Sequence, residues 1–194
     1  EVTGDLLVHG TIRGADLAVG RDGWVHVVWN GSGTAAPRPT NSSPLLYTRL
    51  GPGATAFEPQ RNLIRQTRHL DGGGTVAADR AGQVYVADRE NRRVQVFTAD
   101  GKFIRQLART ATAFARNLAF SPDPEQQFLY VGAGKDIAIV ERKTMEVIGS
   151  IAPKGMIGPG HHIEVDSKGN LYIAQTGTGM QKLVFKGMAP AASR

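Results

Sequence analysis

The sequence contains no cysteine, which excludes disulfides, thiolate metal centres and a thiol nucleophile. No apolar run approaches the roughly 18 residues that a membrane-spanning helix needs, so no membrane partner is expected. No long lysine/arginine block occurs, although 23 Lys and Arg against 17 Asp and Glu leave a formal net charge of +6. A basic excess spread in this way reads as a solvated surface rather than a nucleic-acid tract. The motifs G-x-S-x-G and H-E-x-x-H and a phosphate-cradling Gly loop opening a helix are also missing. Without such a constellation, a non-catalytic protein is the expectation.

What is present is glycine, 24 of 194 residues, and short runs of alternating apolar residues. This composition predicts many short strands joined by tight turns. The stretch from Thr75 to Leu107 reads as four strands: Thr75–Ala78, Val84–Ala87, Val94–Thr98 and Lys102–Leu107. Asp100-Gly101 joins the last two, a dipeptide that tolerates the positive φ of a tight hairpin. Its first half, "GTVAADRAGQVYVA", recurs as "HHIEVDSKGNLYIA" (His161–Ala174), as "ADLAVGRDGWVHVVW" (Ala15–Trp29), and as "NLAFSPDPEQQFLYVG" (Asn117–Gly132) with a widened turn.

Spacing supports a repeat. Gly82 and Gly169 lie 87 positions apart, and the Ser-Pro-Asp-Pro turn falls midway. Gly23 and Gly82 lie 59 apart, but the low-complexity segment Asn30–Pro44 accounts for the 15 surplus residues. Units of four strands recurring about every 44 residues are propeller blades, which bury their faces by stacking around an axis. The expected fold is therefore all-β: a β-propeller of four four-stranded blades spanning about 13–64, 70–108, 115–152 and 159–188 in one domain. The last blade has one further strand, Gln181–Phe185, and then a poor candidate for a fourth. A spare strand at 5–12, "DLLVHGTI", is expected to pair there and close the ring, which removes an exposed edge. Residues 30–44 are expected to form a mobile loop. Completion of a larger, eight-bladed ring by a homodimer is the alternative to closure as four blades.

The segment "GQVYVADRENRRVQVFTADGKFIRQL" resembles an NHL repeat, and Asn117–Met188 resembles the succeeding blades of bacterial NHL proteins. Residues 20–64, with "LDGGGTVAAD", are similar instead to blades of bacterial sialidase-like (BNR-type) propellers, although the pattern S-x-D-x-G-x-x-W is absent. The two resemblances meet near Gly82–Asp88, which implies a chimera of propeller fragments, natural or engineered. They also imply a binding or scaffold module, extracytoplasmic in a bacterium if natural, whose ligand or protein partner they do not name.

Three sets of residues are candidates for chemistry. His161 and His162 open the innermost strand of the last blade. In lyase-type NHL propellers, histidines at this place on several blades bind zinc. The equivalent positions here read Gly74-Thr75, Arg116-Asn117 and Ala15-Asp16, so one chain supplies an incomplete site for an ion that takes three or four ligands. No cofactor is expected otherwise, and His69 is a further loop candidate. Arg89, Arg92 and Arg116, with Arg93, Arg105 and Arg109, make the central blade basic. RNA-binding NHL propellers combine such arginines with exposed aromatics, whereas Tyr85, Phe97 and Phe103 sit at alternating positions that predict core. Nucleic acid is accordingly disfavoured. Asp88, Asn91 and Arg93 read as the repeat's own loop chemistry. The sequons at Asn30 and Asn41 read as coincidence in a bacterial-looking chain.

Overall fold

The structure, a computed structural model, describes residues 15–20, 22–30, 45–62, 74–89, 92–107, 115–175 and 177–187. Among them are fifteen strands and no helix. The first sheet runs β1 (Asp16–Val19), β2 (Val25–Asn30), β3 (Leu45–Leu50), β4 (Arg61–Asn62). The second runs β5 (Gly74–Ala78), β6 (Val84–Asp88), β7 (Arg93–Phe97), β8 (Phe103–Leu107). The third runs β9 (Ala115–Phe120), β10 (Phe128–Ala133), β11 (Asp136–Glu141), β12 (Glu146–Ile151), and the fourth β13 (His162–Val165), β14 (Leu171–Gln175), β15 (Gly179–Leu183). Every pairing is antiparallel between consecutive strands. The first strands pack side by side in the order β1, β5, β9, β13. The chain is a four-bladed β-propeller.

Local chemistry fixes each blade's first turn. Gly23, Gly82 and Gly169 hold φ near 80°, a region that costs residues with a Cβ. Beside two of them an aspartate acts as a template. Oδ1 of Asp79 accepts the N–H groups of Ala81 and Gln83, and Oδ1 of Asp166 accepts those of Lys168 and Asn170. Tyr85 and Tyr172 donate their hydroxyls to the other oxygen of the same carboxylates.

Alternation then builds the core between blades. Val28 and Tyr47 of the first blade meet Val76, Val84, Val86 and Phe97 of the second. Tyr85, Val94 and Val96 meet Leu118, Leu129 and Val140, and Ala119 and Ile137 meet Ile163, Leu171 and Ile173. Each fully buried aliphatic side chain contributes about 1.5–3 kcal/mol.

Polar groups stitch the junctions at two radii. Near the axis, Asp16, Thr75 and Asn117 hold equivalent places opposite Val28, Ala87 and Gly132, and each bonds the backbone of the next blade. Asp16 accepts the Val76 N–H at 2.8 Å, Thr75 donates to the Arg116 carbonyl at 2.8 Å, and Asn117 donates to the Gly160 carbonyl at 2.9 Å. Farther out, Arg49 and Arg61 donate to the carbonyls of Ala99 and Asp100 on the second blade. Arg105 donates to that of Lys143 at 2.6 Å, on the third. Arginines that composition alone assigns to the solvated surface are therefore partly clamps between blades.

Two expectations change. The last strand is Gly179–Leu183 rather than Gln181–Phe185, because Gly179 pairs with Gln175 in a tight hairpin. Val184 and Phe185 consequently leave the ladder, and the Phe185 N–H donates to Asn170 at 3.0 Å. Tyr85 and Phe97 are core, but Phe103 is 55% exposed: it starts an outermost strand, with Phe97 edge-on beneath it. The fourth blade has three strands among the described residues. The closing strand 5–12, His69, Asn91, Arg109, the sequon at Asn41 and nearly all of the loop 30–44 lie outside the described residues.

Candidate functional site

The four innermost strands wall a central channel of about 290 Å³. β1 contributes Asp16 to Val19, β5 Thr75 to Ala78, β9 Leu118 to Phe120, and β13 His162 and Glu164. The period of two decides this, since every second residue of an inner strand turns from the sheet face that packs on a neighbour. Leu17 and Val19 are 61% and 59% exposed and form an apolar wall. Polar groups gather where the strands begin: Asp16, Thr75 and His162, with Glu164 two residues deeper.

His162 holds the place in the fourth blade that Asp16, Thr75 and Asn117 hold in the others, opposite Ala174. Among the described residues its ring pairs with Glu164, Nε2 to Oε1 at 3.2 Å. That hydrogen bond raises the imidazole's pKa above its ordinary value, with the charges of Glu164 and Asp16 adding to it. Asp16 is displaced upward as well, mainly because burial disfavours its charged form. These three titratable groups belong to the first and last blades and sense one another across the channel.

His161 takes a separate partner, Nδ1 to Gln175 Oε1 at 2.9 Å. The adjacent histidines are thus engaged by different groups, and no set of three or more His, Asp or Glu residues placed to hold a metal occurs among the described residues. Arg89 and Arg92 flank the β6–β7 connection, where the Arg92 N–H donates to the Arg89 carbonyl at 3.0 Å and Arg92 takes φ of 54°. Arg93 pairs with Asp88 at 2.8 Å, the carboxylate fully buried. Arg116 lies on β9, its carbonyl taken by Thr75. Ladder register puts all of these at the end of the sheets where the inner strands begin, but the channel lining takes in His162 and not the arginines. The residues that sequence reasoning missed are Asp16, Thr75 and Glu164. Their signal is the alignment of inner-strand starts, read for carboxylates and hydroxyls as well as for histidine.

Comparison with known proteins agrees with this architecture. The NHL repeat model matches residues 74–97, which are β5 to β7. The match covers three of the second blade's four strands. No curated protein matches the chain. Among solved structures, Kuenenia stuttgartiensis hydrazine synthase is similar at 14% identity and a TM-score of 0.62, over 95% of this chain and 49% of that one. A functionally unknown protein from Desulfotomaculum acetoxidans is similar at 15% identity and 0.56, over 89% and 55%. A protein of unknown function from Bacteroides thetaiotaomicron is similar at 14% and 0.56, over 86% and 46%. These likenesses are of fold, and the chain spans about half the length of the structures it matches.

Proposed function

We propose that this protein is a non-catalytic β-propeller binding module that receives its ligand at the polar end of the central channel. The observation that carries the reading is convergence. One recess is walled by all four blades, apolar along Leu17 and Val19 and polar at Asp16, Thr75, His162 and Glu164, the usual make-up of a small-molecule site. The carboxylates of Asp16 and Glu164 give that end negative sign, which suits a compact organic cation with an apolar tail and opposes a phosphate backbone.

The test is titration of n-butylammonium chloride into isotopically labelled protein, followed by NMR. Saturable shifts confined to Leu17, Thr75, Ala77 and His162 are expected; shifts absent or scattered over the surface would remove the reading. Zinc added in parallel and retained at one ion per chain, but lost in His162→Ala, would favour instead a metal-dependent lyase- or hydrolase-like enzyme using His161 or His162. Steeply salt-dependent RNA binding that is weakened by Arg89→Ala, Arg92→Ala or Arg116→Ala would favour a nucleic-acid module.

The chimeric origin belongs to the same proposal. The NHL match begins at residue 74, and the first blade sets His26 and Tyr47 where the second uses Tyr85 and Val94. On this match the junction between two propeller lineages lies ahead of β5 rather than near Gly82–Asp88, where the two resemblances meet.

A further inference from the structure

The recess among the inner strands has a far end as well as a polar one. β1 and β5 finish at Val19 and Ala78. Beyond them lies a second recess of about 300 Å³, lined by Val19, Ala78, Asp79, Arg80 and Gln126. Val19 and Ala78 line both spaces, so the two lie end to end along the inner strands. Three residue rises separate Asp16 from Val19, about 10 Å.

The two ends are lined by groups of opposite sign. Asp16 and Glu164 stand at the end where the strands begin. At the far end the one lining carboxylate is cancelled: Asp79 pairs with Arg142 at 2.7 Å and accepts two turn amides besides. Arg80 remains, with no carboxylate partner among the described residues. Its Nη1 donates to the Asp123 carbonyl at 3.1 Å, which holds the guanidinium at the recess. The Asp123 carboxylate does not line that space, and it accepts the Ser121 hydroxyl and the Gln127 N–H instead. Beside Arg80, the Gln126 carboxamide accepts the Arg80 backbone N–H at 2.7 Å. Its NH₂ group has no partner among the described residues. A guanidinium next to an amide NH₂ supplies donors without an opposing acceptor, the make-up of a carboxylate seat.

We propose, on the reading of the polar end as a cation site, that the passage takes an extended zwitterion: an aliphatic chain with an ammonium group at one end and a carboxylate at the other. The ammonium lies with Asp16 and Glu164, the methylene chain runs along Leu17 and Val19, and the carboxylate accepts from Arg80 and Gln126. Reach selects the length. An eight-carbon amino acid spans about 10 Å when extended, and a five-carbon one about 6 Å, too short to engage both ends.

The test is NMR titration of the isotopically labelled full chain with 8-aminooctanoate, 8-aminooctanamide and 5-aminopentanoate under identical conditions. 8-Aminooctanoate should shift His162 and Arg80 together and bind about tenfold more tightly than either of the others. Arg80→Gln should abolish that preference and leave the affinity for 8-aminooctanamide unchanged, whereas Arg80→Lys, which keeps the charge, should retain most of it. Equal affinity for the acid and its amide, with shifts confined to the His162 end, would overturn the zwitterion and leave the cation site standing. A preference for the acid that survives Arg80→Gln would overturn it as well. Absence of binding by all three compounds would remove the zwitterion and the cation site together.

Discussion

The side-chain oxygen of Asn117 occupies the space above Gly132: a Cβ on that glycine would stand 2.1 Å from Asn117 Oδ1. The β9–β10 ladder shifts register beside this pair, which lets the Asn117 amide cross to the carbonyls of Pro159 and Gly160 on the next blade. A small residue in one strand thereby makes room for the stitch between two blades.

Gly132→Ala should cost about 1–3 kcal/mol, the range for overfilling a packed site. Asn117→Ala should cost about 2 kcal/mol by stranding two buried carbonyls. The double variant should lose less than the sum, since the clash disappears with the amide. Urea denaturation midpoints of the four proteins check this; strict additivity would mean that the two residues act separately.

Asp79 is 1% exposed and accepts Arg142 Nη1 of the third blade at 2.7 Å, besides two turn amides. Asp79→Ala removes a partner of a buried pair and the turn template together, so a loss of about 3–5 kcal/mol is expected. Asp79→Asn keeps the Oδ1 acceptor and should lose less. Asp166 has the same turn without an arginine from a following blade among the described residues, so Asp166→Ala should be the milder change. Thermal unfolding in parallel ranks the three.

His26 is fully buried, with Nδ1 against Tyr47 Oη at 2.8 Å, and burial lowers its pKa below the ordinary 6.5. The unfolded chain therefore binds the proton first. Stability should fall as pH drops below about 6.5, and continue to fall until the lowered folded value is passed. His26→Phe should flatten that part of a stability–pH curve measured by denaturant midpoint; an unchanged acid limb would assign it to other groups.

His162 behaves in the opposite sense. Its pKa is raised by Glu164, so the pair's contribution is complete below the unfolded value and is lost as pH rises through the folded one. Both side chains are more than half exposed, which keeps that contribution small. The sharper readout is NMR titration of the imidazole: Glu164→Gln should lower the His162 midpoint, and Asp16→Asn should lower it by less.

Much of the fold was legible because blade grammar is local. Alternation, Asp-turn-Gly spacing and the recurrence of "VYVA" and "LYIA" need only short-range sterics and hydrogen bonds, and they located strands β5 to β8 to within a residue or two. Period also aligned the inner-strand starts, so that His162 was legible as the counterpart of Thr75 and Asn117. Tertiary structure alone decided what those counterparts do. Whether an arginine is solvated or clamps a neighbour's carbonyl depends on which turn lies across the junction, as Arg105 over Lys143 shows. Whether a phenylalanine is core depends on whether another strand follows, as Phe97 and Phe103 show. Sequence sets the pattern along a strand, because the alternation of side chains is fixed by the backbone. The channel and its polar end arise where separate blades meet, at distances that no local pattern encodes.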